Sequence, residues 1–569
     1  MQCSWRFCSP QAGQEPADID SWARELNISC FLARLLWHRG YCSLKDMDLF
    51  LSPGLRHLPG LQDWPQLEEA AQFLTEALTQ GKILAVWGDY DVDGLTSTAM
   101  VLDFLRRRGC RVLHYIPHRL NEGYGLNQQG LKELADQGAE ILLSVDCGVA
   151  DLEELQLAEE LGLQAVITDH HLPGDRLPRA RAVVNPKVSE CGYSNLAGVG
   201  VAFLLLCRLN RLLPGELLDM RQYLDLVALG TIADVVELSL ENRILVKNGL
   251  LVLQEAKRPG IFALKEASRL PPTAPLGSGQ VGFSLAPRLN AAGRMGETEL
   301  ALDLLLAPDL STARPLAAQL DKLNQDRQKQ EQGILQQALE QAEQQKDSPG
   351  LVLYATDWHP GIIGIVASRV AERFYRPVLI LTRDGQGIKG SGRSIPEFDL
   401  FQGLKDCEPC LSTFGGHHQA AGLSLETDRL QELKQLFPQA VTAQLGQVLP
   451  GPSLQLEARL GLNMVDLQLV QELDLLQPFG PGNSRPLFCS PALKVQKYKV
   501  IGQNHVSLQL RDEKAGVSMP GKAWRQAKQL GPEVAGGNLQ LAFTPQLNHF
   551  NGLTSIDLVI RDWRCLGQD

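Results

Sequence analysis

At 569 residues the chain exceeds what one hydrophobic core supports, and its 44% hydrophobic and 21% charged residues suit a globular protein of roughly three to five domains. No run approaches the roughly 20 uninterrupted apolar residues of a membrane helix, which excludes a helical membrane protein. The formal net charge of −11 is unevenly placed: Pro478–Asp569 holds eleven Lys/Arg against six Asp/Glu, a local +5 that leaves −16 elsewhere, so acidity does not exclude a polyanionic substrate.

The first residues, Met-Gln-Cys-Ser-Trp-Arg-Phe-Cys, lead into polar sequence without a signal-peptide-type apolar segment, and the twelve cysteines are scattered, so a cytoplasmic protein with reduced thiols is expected. Cys407-x-x-Cys410 has no partner pair at zinc-finger spacing and reads as packing thiols.

Residues 18–50 suggest short amphipathic helices, broken by Pro53 and Gly54, and give a helical cap over 1–69. From 70 to 310, the apolar runs Ile83–Val86, Val112–Ile116, Ile141–Val145, Ala165–Thr168 and Ala182–Val184 alternate with helical stretches, the pattern of a parallel sheet. A polar, Leu-spaced stretch over 311–347 predicts a long exposed connecting helix. Residues 348–450 offer strand candidates Leu351–Tyr354 and Val378–Leu381 around the helical run Gly361–Phe374, a smaller α/β domain. Over 451–569, short alternating runs at Lys494–Val500, His505–Leu510, Leu539–Phe543 and Ser555–Ile560 favour a small β-barrel. The fold class is therefore α/β multidomain with a C-terminal β-barrel.

The chemistry concentrates at strand ends. Asp89, Asp91 and Asp93 stand at alternate positions just past Ile83–Val86 and repel one another unless a cation joins them, while Gly94 permits a tight strand-to-helix turn. Asp146 follows Ile141–Val145, Asp169-His170-His171 follows Ala165–Thr168, and the apolar run from Leu226, read as another strand, leads to Asp234. Taken singly these are solvated loops, a calcium turn or helix caps. In an open parallel sheet, however, carboxyl ends of strands line one crevice, so these groups converge. Oxygen donors with one or two imidazoles suit Mn²⁺ or Mg²⁺ better than zinc, and two such ions about 3.5–4 Å apart serve phosphoester or phosphoanhydride hydrolysis. Asp93 and Asp146 are the expected bridges between them.

Asp-Tyr-Asp-Val-Asp-Gly, Ser-Val-Asp-Cys-Gly, Thr-Asp-His-His and Gly-Thr-Ile-Ala-Asp-Val-Val, in this order, resemble the four motifs of the DHH phosphoesterases. The resemblance continues through Arg288–Arg294, Trp358–Arg369 and Phe414–Gly422, similar to the DHH-associated domain, and Pro478–Phe488, similar to the entry of the family's OB-type domain. It implies Asp91, Asp93, Asp146, His170 and Asp234 as metal ligands, His171 facing metal or phosphate, and Asp169 orienting the histidines. Some relatives have a His where this chain has Trp87, and the resemblance lets Asp89 supply that ligand. It also implies a substrate set of Arg288, Asn290, Arg294, His359, Lys389, Ser391, Arg393 and His417, in which glycines let the backbone approach a phosphate and arginine binds it bidentately.

The implied activity is that of a single-stranded-DNA-specific 5′→3′ exonuclease releasing mononucleotides in recombination and repair, with single-strand-binding protein and a helicase as possible partners and no membrane involvement. The alternative is a DHH-type phosphodiesterase of oligonucleotides or cyclic dinucleotides, which does not need the basic β-domain. There, Tyr498, Phe543, Phe550 and Trp563 among Lys and Arg suggest a strand-tracking groove with base stacking.

Overall fold

The computed structural model describes residues 3–8, 15–271, 274–550 and 553–566, and the side chains of 549, 550 and 553 lie outside that description. The chain divides into two compact units, one of residues 59–450 and one combining 1–58 with 451–569.

In the 59–450 unit, five parallel strands are ordered Val112–Tyr115, Leu84–Trp87, Ile141–Val145, Gln164–Thr168 and Ala182–Val184. The chain steps outward in opposite directions from Leu84–Trp87, so the strand order reverses beside it and opens a crevice at the carboxyl ends of that strand and Ile141–Val145. Both central strands are wholly buried, which explains their continuous apolar runs. Trp87 fills the core, stacked on Tyr115 at 4.4 Å, and thus takes no part in the crevice.

One expectation is overturned. The run leading to Asp234 is the helix Leu224–Asp234, not a strand, and it is buried from Leu224 to Thr231. An element covered on all sides has no polar face, so its periodicity carries no signature. It approaches the helix Val92–Arg107 so closely that a Cβ on Gly230 would lie 2.4 Å from Thr96 Oγ1.

The connecting helix spans Leu310–Gln344 and is not simply exposed: Ala313, Ala317, Leu320, Ile334, Ala338 and Ala342 are buried along one stripe. Within that stripe Glu331 joins Arg327 at 2.6 Å to Arg369 at 2.7 Å, the latter on the helix Pro360–Phe374. The smaller sheet is ordered Thr413–Gly416, Ala420–Glu426, Gly387–Arg393, Val378–Asp384 and Leu351–Ala355. Cys407 and Cys410 are buried there, the Cys410 thiol donating to the Cys407 carbonyl at 3.1 Å, as packing thiols do.

In the other unit, Leu493–Ile501, His505–Asp512, Val517–Ala523, Leu553–Leu566 and Asn538–Phe550 pair in a closed ring, the parallel pairing of Val517–Ala523 with Leu553–Leu566 included. The residues expected to form a helical cap pack into this unit's own core. Leu32, Leu36, Trp37 and Phe50 share a cluster with Leu460, Phe488, Leu541 and Phe543. Arg39 ties them further, its Nη1 donating to Asn483 Oδ1 at 2.7 Å beside its pairing with Glu457.

Candidate active site

The strand Leu84–Trp87 delivers Asp89, Asp91 and Asp93 to the crevice. Asp91 caps the following helix, its Oδ1 accepting from the amides of Asp93 at 2.9 Å and Gly94 at 3.0 Å. Gly94 makes the turn possible by proximity, since a Cβ there would sit 2.5 Å from the Asp89 carbonyl oxygen. Asp146 takes a left-handed conformation with φ 64°, costly for a non-glycine residue, and Val235, just after Asp234, does the same with φ 63°.

These elements converge. His170 Nε2 lies 3.1 Å from Asp146 Oδ1, 3.6 Å from Asp234 Oδ2 and 3.9 Å from Asp93 Oδ2. Three overlapping groups each hold their donor atoms within 4.8 Å: Asp146, His170 and His171; Asp93, His170 and Asp234; and Asp89, Asp91 and Asp146. Asp89 Oδ1, Asp146 Oδ1, Asp234 Oδ2 and His170 Nε2 are buried without a hydrogen-bond partner. Buried polar atoms ordinarily find partners, so four orphans distributed over these overlapping groups fit divalent cations. Asp169 differs: Oδ1 accepts from the amides of His170 at 2.7 Å and His171 at 3.0 Å and contacts His171 Nδ1 at 2.8 Å, while Oδ2 accepts from Val149 at 3.0 Å.

Burial first, and neighbouring carboxylates second, push Asp89, Asp93 and Asp146 well above the ordinary carboxyl range, and Asp234 up to about 7. Burial brings His170 down to about 3, so the imidazole is neutral and its Nε2 is free to ligate. Burial would depress His171 too, but its hydrogen bond to Asp169 lifts it to about 9. The raised carboxyls keep protons in the folded state at pH values where the unfolded chain has released them. The four raised carboxyls therefore contribute most to metal-free stability below about pH 4 and less as pH rises towards about 7, outweighing the single buried neutral His170, which acts in the opposite sense below about pH 6.5. A divalent cation favours the ionised form and removes that loss. The melting temperature in EDTA is expected to fall between about pH 5 and pH 7.5, while the increase produced by Mn²⁺ grows over the same interval. A Mn²⁺ effect independent of pH would contradict this account.

Beside the acidic cluster stands a cationic one. Arg294, near the end of the helix Ala286–Met295, donates to the Gly361 carbonyl at 3.0 Å and so meets the first turn of Pro360–Phe374. One helical turn on, a Cβ at Gly364 would lie 3.0 Å from Ser391 Oγ and 3.2 Å from Arg393 Nη2. Burial, then the guanidinium groups of Arg119, Arg327 and Arg393, depress Arg294 to about 9. Arg119 lies 4.8 Å over the Tyr90 ring, between two of the acidic residues. Like charges gathered at a partly buried point favour an anion among them.

The remaining expected substrate residues are placed as follows. His359 caps Pro360–Phe374, its Nδ1 accepting from Gly361 at 3.1 Å. His417, in the turn between Thr413–Gly416 and Ala420–Glu426, is held below its usual value by burial and then by His171 and Lys187, which places it within electrostatic reach of the acidic crevice. Lys389, Ser391 and Arg393 share one face of the strand Gly387–Arg393 rather than a turn. Their glycine neighbours serve packing, not phosphate approach, because a Cβ on Gly390 would lie 2.3 Å from Leu381 Cδ2. Arg288 is engaged elsewhere, with Asp321 at 2.8 Å, on the helix that also carries Asn290.

Residues 83–231 match the DHH family, N-terminal domain, residues 347–443 the DHHA1 domain, and residues 456–562 the RecJ OB domain. The chain is 36% identical over 555 residues to the single-stranded-DNA-specific exonuclease RecJ of Escherichia coli (strain K12), a span covering 93% of this chain and 95% of that relative. The chain belongs to the RecJ family. It is also 38% identical over 520 residues to RecJ of Thermus thermophilus, covering 90% of this chain and 72% of that one. The crystal structure of RecJ from Thermus thermophilus in complex with Mn²⁺ aligns with a TM-score of 0.85 at 33% identity, covering 99% of this chain and 80% of that chain. The corresponding Mg²⁺ complex gives 0.77.

Two crevice residues of this RecJ-family chain escaped sequence reasoning. Tyr124 donates from its hydroxyl to the Asp146 carbonyl at 3.0 Å and lies 3.0 Å from His171 Nδ1. Its signal was the pair of flanking glycines, Gly123 and Gly125, both at positive φ. Arg119, in the preceding loop, carried no pattern. In the barrel, Phe543 is fully buried and is excluded as a stacking surface, Tyr498 spends its hydroxyl on the Leu530 carbonyl at 3.0 Å, and Trp563 packs against the core. Phe550's side chain lies outside the described residues. Trp524 is 50% exposed and braced edge-on by His505 at 5.1 Å.

Proposed function

We propose that the protein is a metal-dependent exonuclease that degrades single-stranded DNA from the 5′ end, releasing mononucleotides, in recombination and repair. The observation that carries the reading is the meeting of orphaned carboxylate oxygens and a neutral imidazole at one crevice with a partly buried arginine cluster beside it. Asp89, Asp91, Asp93, Asp146, His170 and Asp234 would hold two divalent cations, Mn²⁺ or Mg²⁺. Bound there, the cations supply a lowered water pKa and charge stabilisation at phosphorus. In the metal-free protein the hydrogen bond to Asp169 holds His171 protonated at neutral pH, and with Nδ1 committed there the ring would present Nε2–H to a phosphate oxygen. Tyr124 fixes that imidazole against the Asp146 backbone.

Arg119, Arg294, Arg393 and Ser391, with Lys389, His359 and His417 around them, take the terminal phosphate and so set which bond enters the crevice. Exposed Lys494, Lys497 and Lys499 on one barrel strand, together with Trp524, provide a cationic surface with a stacking ring for the strand. A helicase that opens duplex and a single-strand-binding protein that keeps it open would supply such an enzyme with substrate. All twelve cysteines are unpaired, consistent with cytoplasmic residence, and among the described residues no helix is long and apolar enough to cross a membrane.

The test is digestion of a long single strand labelled at either end, in Mn²⁺, with the blunt duplex alongside. Release of labelled mononucleotide from the 5′ end alone, duplex resistance and arrest by EDTA are expected. Inertness on both, with dinucleotides hydrolysed, would move the assignment to a small-nucleotide phosphodiesterase. The arginine cluster makes a separate prediction: Arg294→Ala should abolish the preference for a 5′-phosphorylated over a 5′-hydroxyl end, raising KM about tenfold or more on the former, since a charge-assisted contact is worth about 1.5–3 kcal/mol. Equal loss on both substrates would place Arg294 outside the terminal-phosphate pocket.

A further inference from the structure

Asp93 is held from outside the acidic cluster. Its Oδ2 accepts from the amide of Gly198 at 2.7 Å and its Oδ1 from that of Val199 at 2.9 Å, the first two residues of the helix Gly198–Leu212. Gly198 and Gly230 leave the space this requires: a Cβ at the first would lie 2.5 Å from Asp146 Oδ1, and at the second 2.9 Å from Asp93 Oδ1. The position of one carboxylate thus depends on where this helix begins.

That start is fixed by two adjacent residues near the beginning of another helix, Leu240–Glu255. Glu241 Oε1 accepts from Ser194 N at 2.8 Å, Asn195 N at 3.1 Å and Ser194 Oγ at 3.1 Å, clasping the loop that runs into Gly198. Asn242, wholly buried, donates both hydrogens of its amide, one to the Asn195 carbonyl in that loop and the other to the Glu237 carbonyl at 2.8 Å. Glu237 belongs to the segment leaving Asp234, which turns through the strained Val235. A single side chain therefore joins the segment that positions Asp93 to the segment that follows Asp234. These two carboxylates and His170 form one of the three candidate cation groups.

We propose that Glu241 and Asn242 are positioning residues that set the separation of Asp93 from Asp234 and thereby the affinity of the cation held between them. The proposal rests on the two-cation reading of the crevice. Groups that orient metal ligands without touching the metal commonly change affinity by roughly 10- to 100-fold when removed. The candidate group that shares no residue with that of Asp93, His170 and Asp234, namely Asp89, Asp91 and Asp146, receives no hydrogen bond from Glu241 or Asn242 and should be spared.

The experiment measures Mn²⁺ binding to the full chain by calorimetry and by electron paramagnetic resonance, independently of turnover. Wild type is compared with Asn242→Ala, Glu241→Ala, Glu241→Gln and a control, Asn210→Ala. Asn210 is also buried and also clamps backbone, through Leu218, but at the far end of the helix Gly198–Leu212. Asn242→Ala and Glu241→Ala are expected to weaken one of two Mn²⁺ sites by roughly 10- to 100-fold and leave the other unchanged. Glu241→Gln retains an acceptor oxygen and should recover most of the affinity, and Asn210→Ala should bind both ions normally even where its melting temperature falls as far. Wild-type affinity at both sites in the alanine variants, or equal weakening in Asn210→Ala, would overturn the proposal. Should Asn242→Ala not fold, the Glu241 pair decides it: equal affinity in alanine and glutamine variants refutes the role. A wild type that binds no Mn²⁺ would instead remove the two-cation reading itself.

Discussion

Asp146→Ala is expected to reduce single-stranded-DNA degradation by at least about 10³-fold while leaving metal-free DNA binding intact, because several kcal/mol of charge stabilisation at phosphorus depend on the cations. The same substitution should not destabilise the metal-free protein. Asp146 is buried, its Oδ1 has no hydrogen-bond partner, and burial and neighbouring carboxylates oppose its ionisation. Removing it relieves that cost, so the melting temperature in EDTA should stay level or rise, and the Mn²⁺-induced increase should largely vanish. Asp93→Ala would give a less readable result, since it strands the amides of Gly198 and Val199 at a buried helix start. Near-normal turnover by Asp146→Ala would exclude the acidic crevice as the catalytic centre.

Residues 59–450 expressed alone should cleave dinucleotides within about threefold of the full chain yet lose about 10²-fold or more in kcat/KM on long strands, since stacking is worth roughly 1–3 kcal/mol per base and the barrel's cations are lost with it. This segment is a compact unit holding the entire acidic cluster and the arginine pocket. Cutting only after Pro450 would be a different experiment. It would uncover Leu32, Leu36, Trp37 and Phe50, whose core partners lie beyond residue 451, and aggregation could then be mistaken for loss of activity. Undiminished activity of 59–450 on long strands would refute the barrel's role in holding DNA.

The parallel sheet was legible because runs of three to five mostly apolar residues separated by helical stretches arise in few architectures, and its acidic residues were legible because a parallel sheet gathers strand ends. Asp234 was found by position although its element was misread, since a helix buried all round shows the same unbroken apolar run as a strand. Arg119 and Tyr124 sit in an irregular loop whose course depends on tertiary contacts, where no periodicity operates. Phe543 was misassigned because alternation in a barrel strand tells that two faces exist, not which one faces inward. The clasp of Glu241 and Asn242 was invisible for a related reason: its partners in the loop before Gly198 lie 46 or 47 residues away and are mostly backbone groups, which leave no trace in residue type.

The core shared by residues 1–58 and 451–569 has a consequence for synthesis on the ribosome. The helix Cys30–His38 emerges more than 400 residues before the strands that cover its Leu32, Leu36 and Trp37. At roughly 5–20 residues per second, that interval is on the order of tens of seconds. The catalytic unit can complete itself meanwhile, but these early helices remain adhesive until the barrel strands appear, so nascent chains should engage a holding chaperone through the helices of residues 19–51 and release it only once the strands within residues 488–566 have emerged.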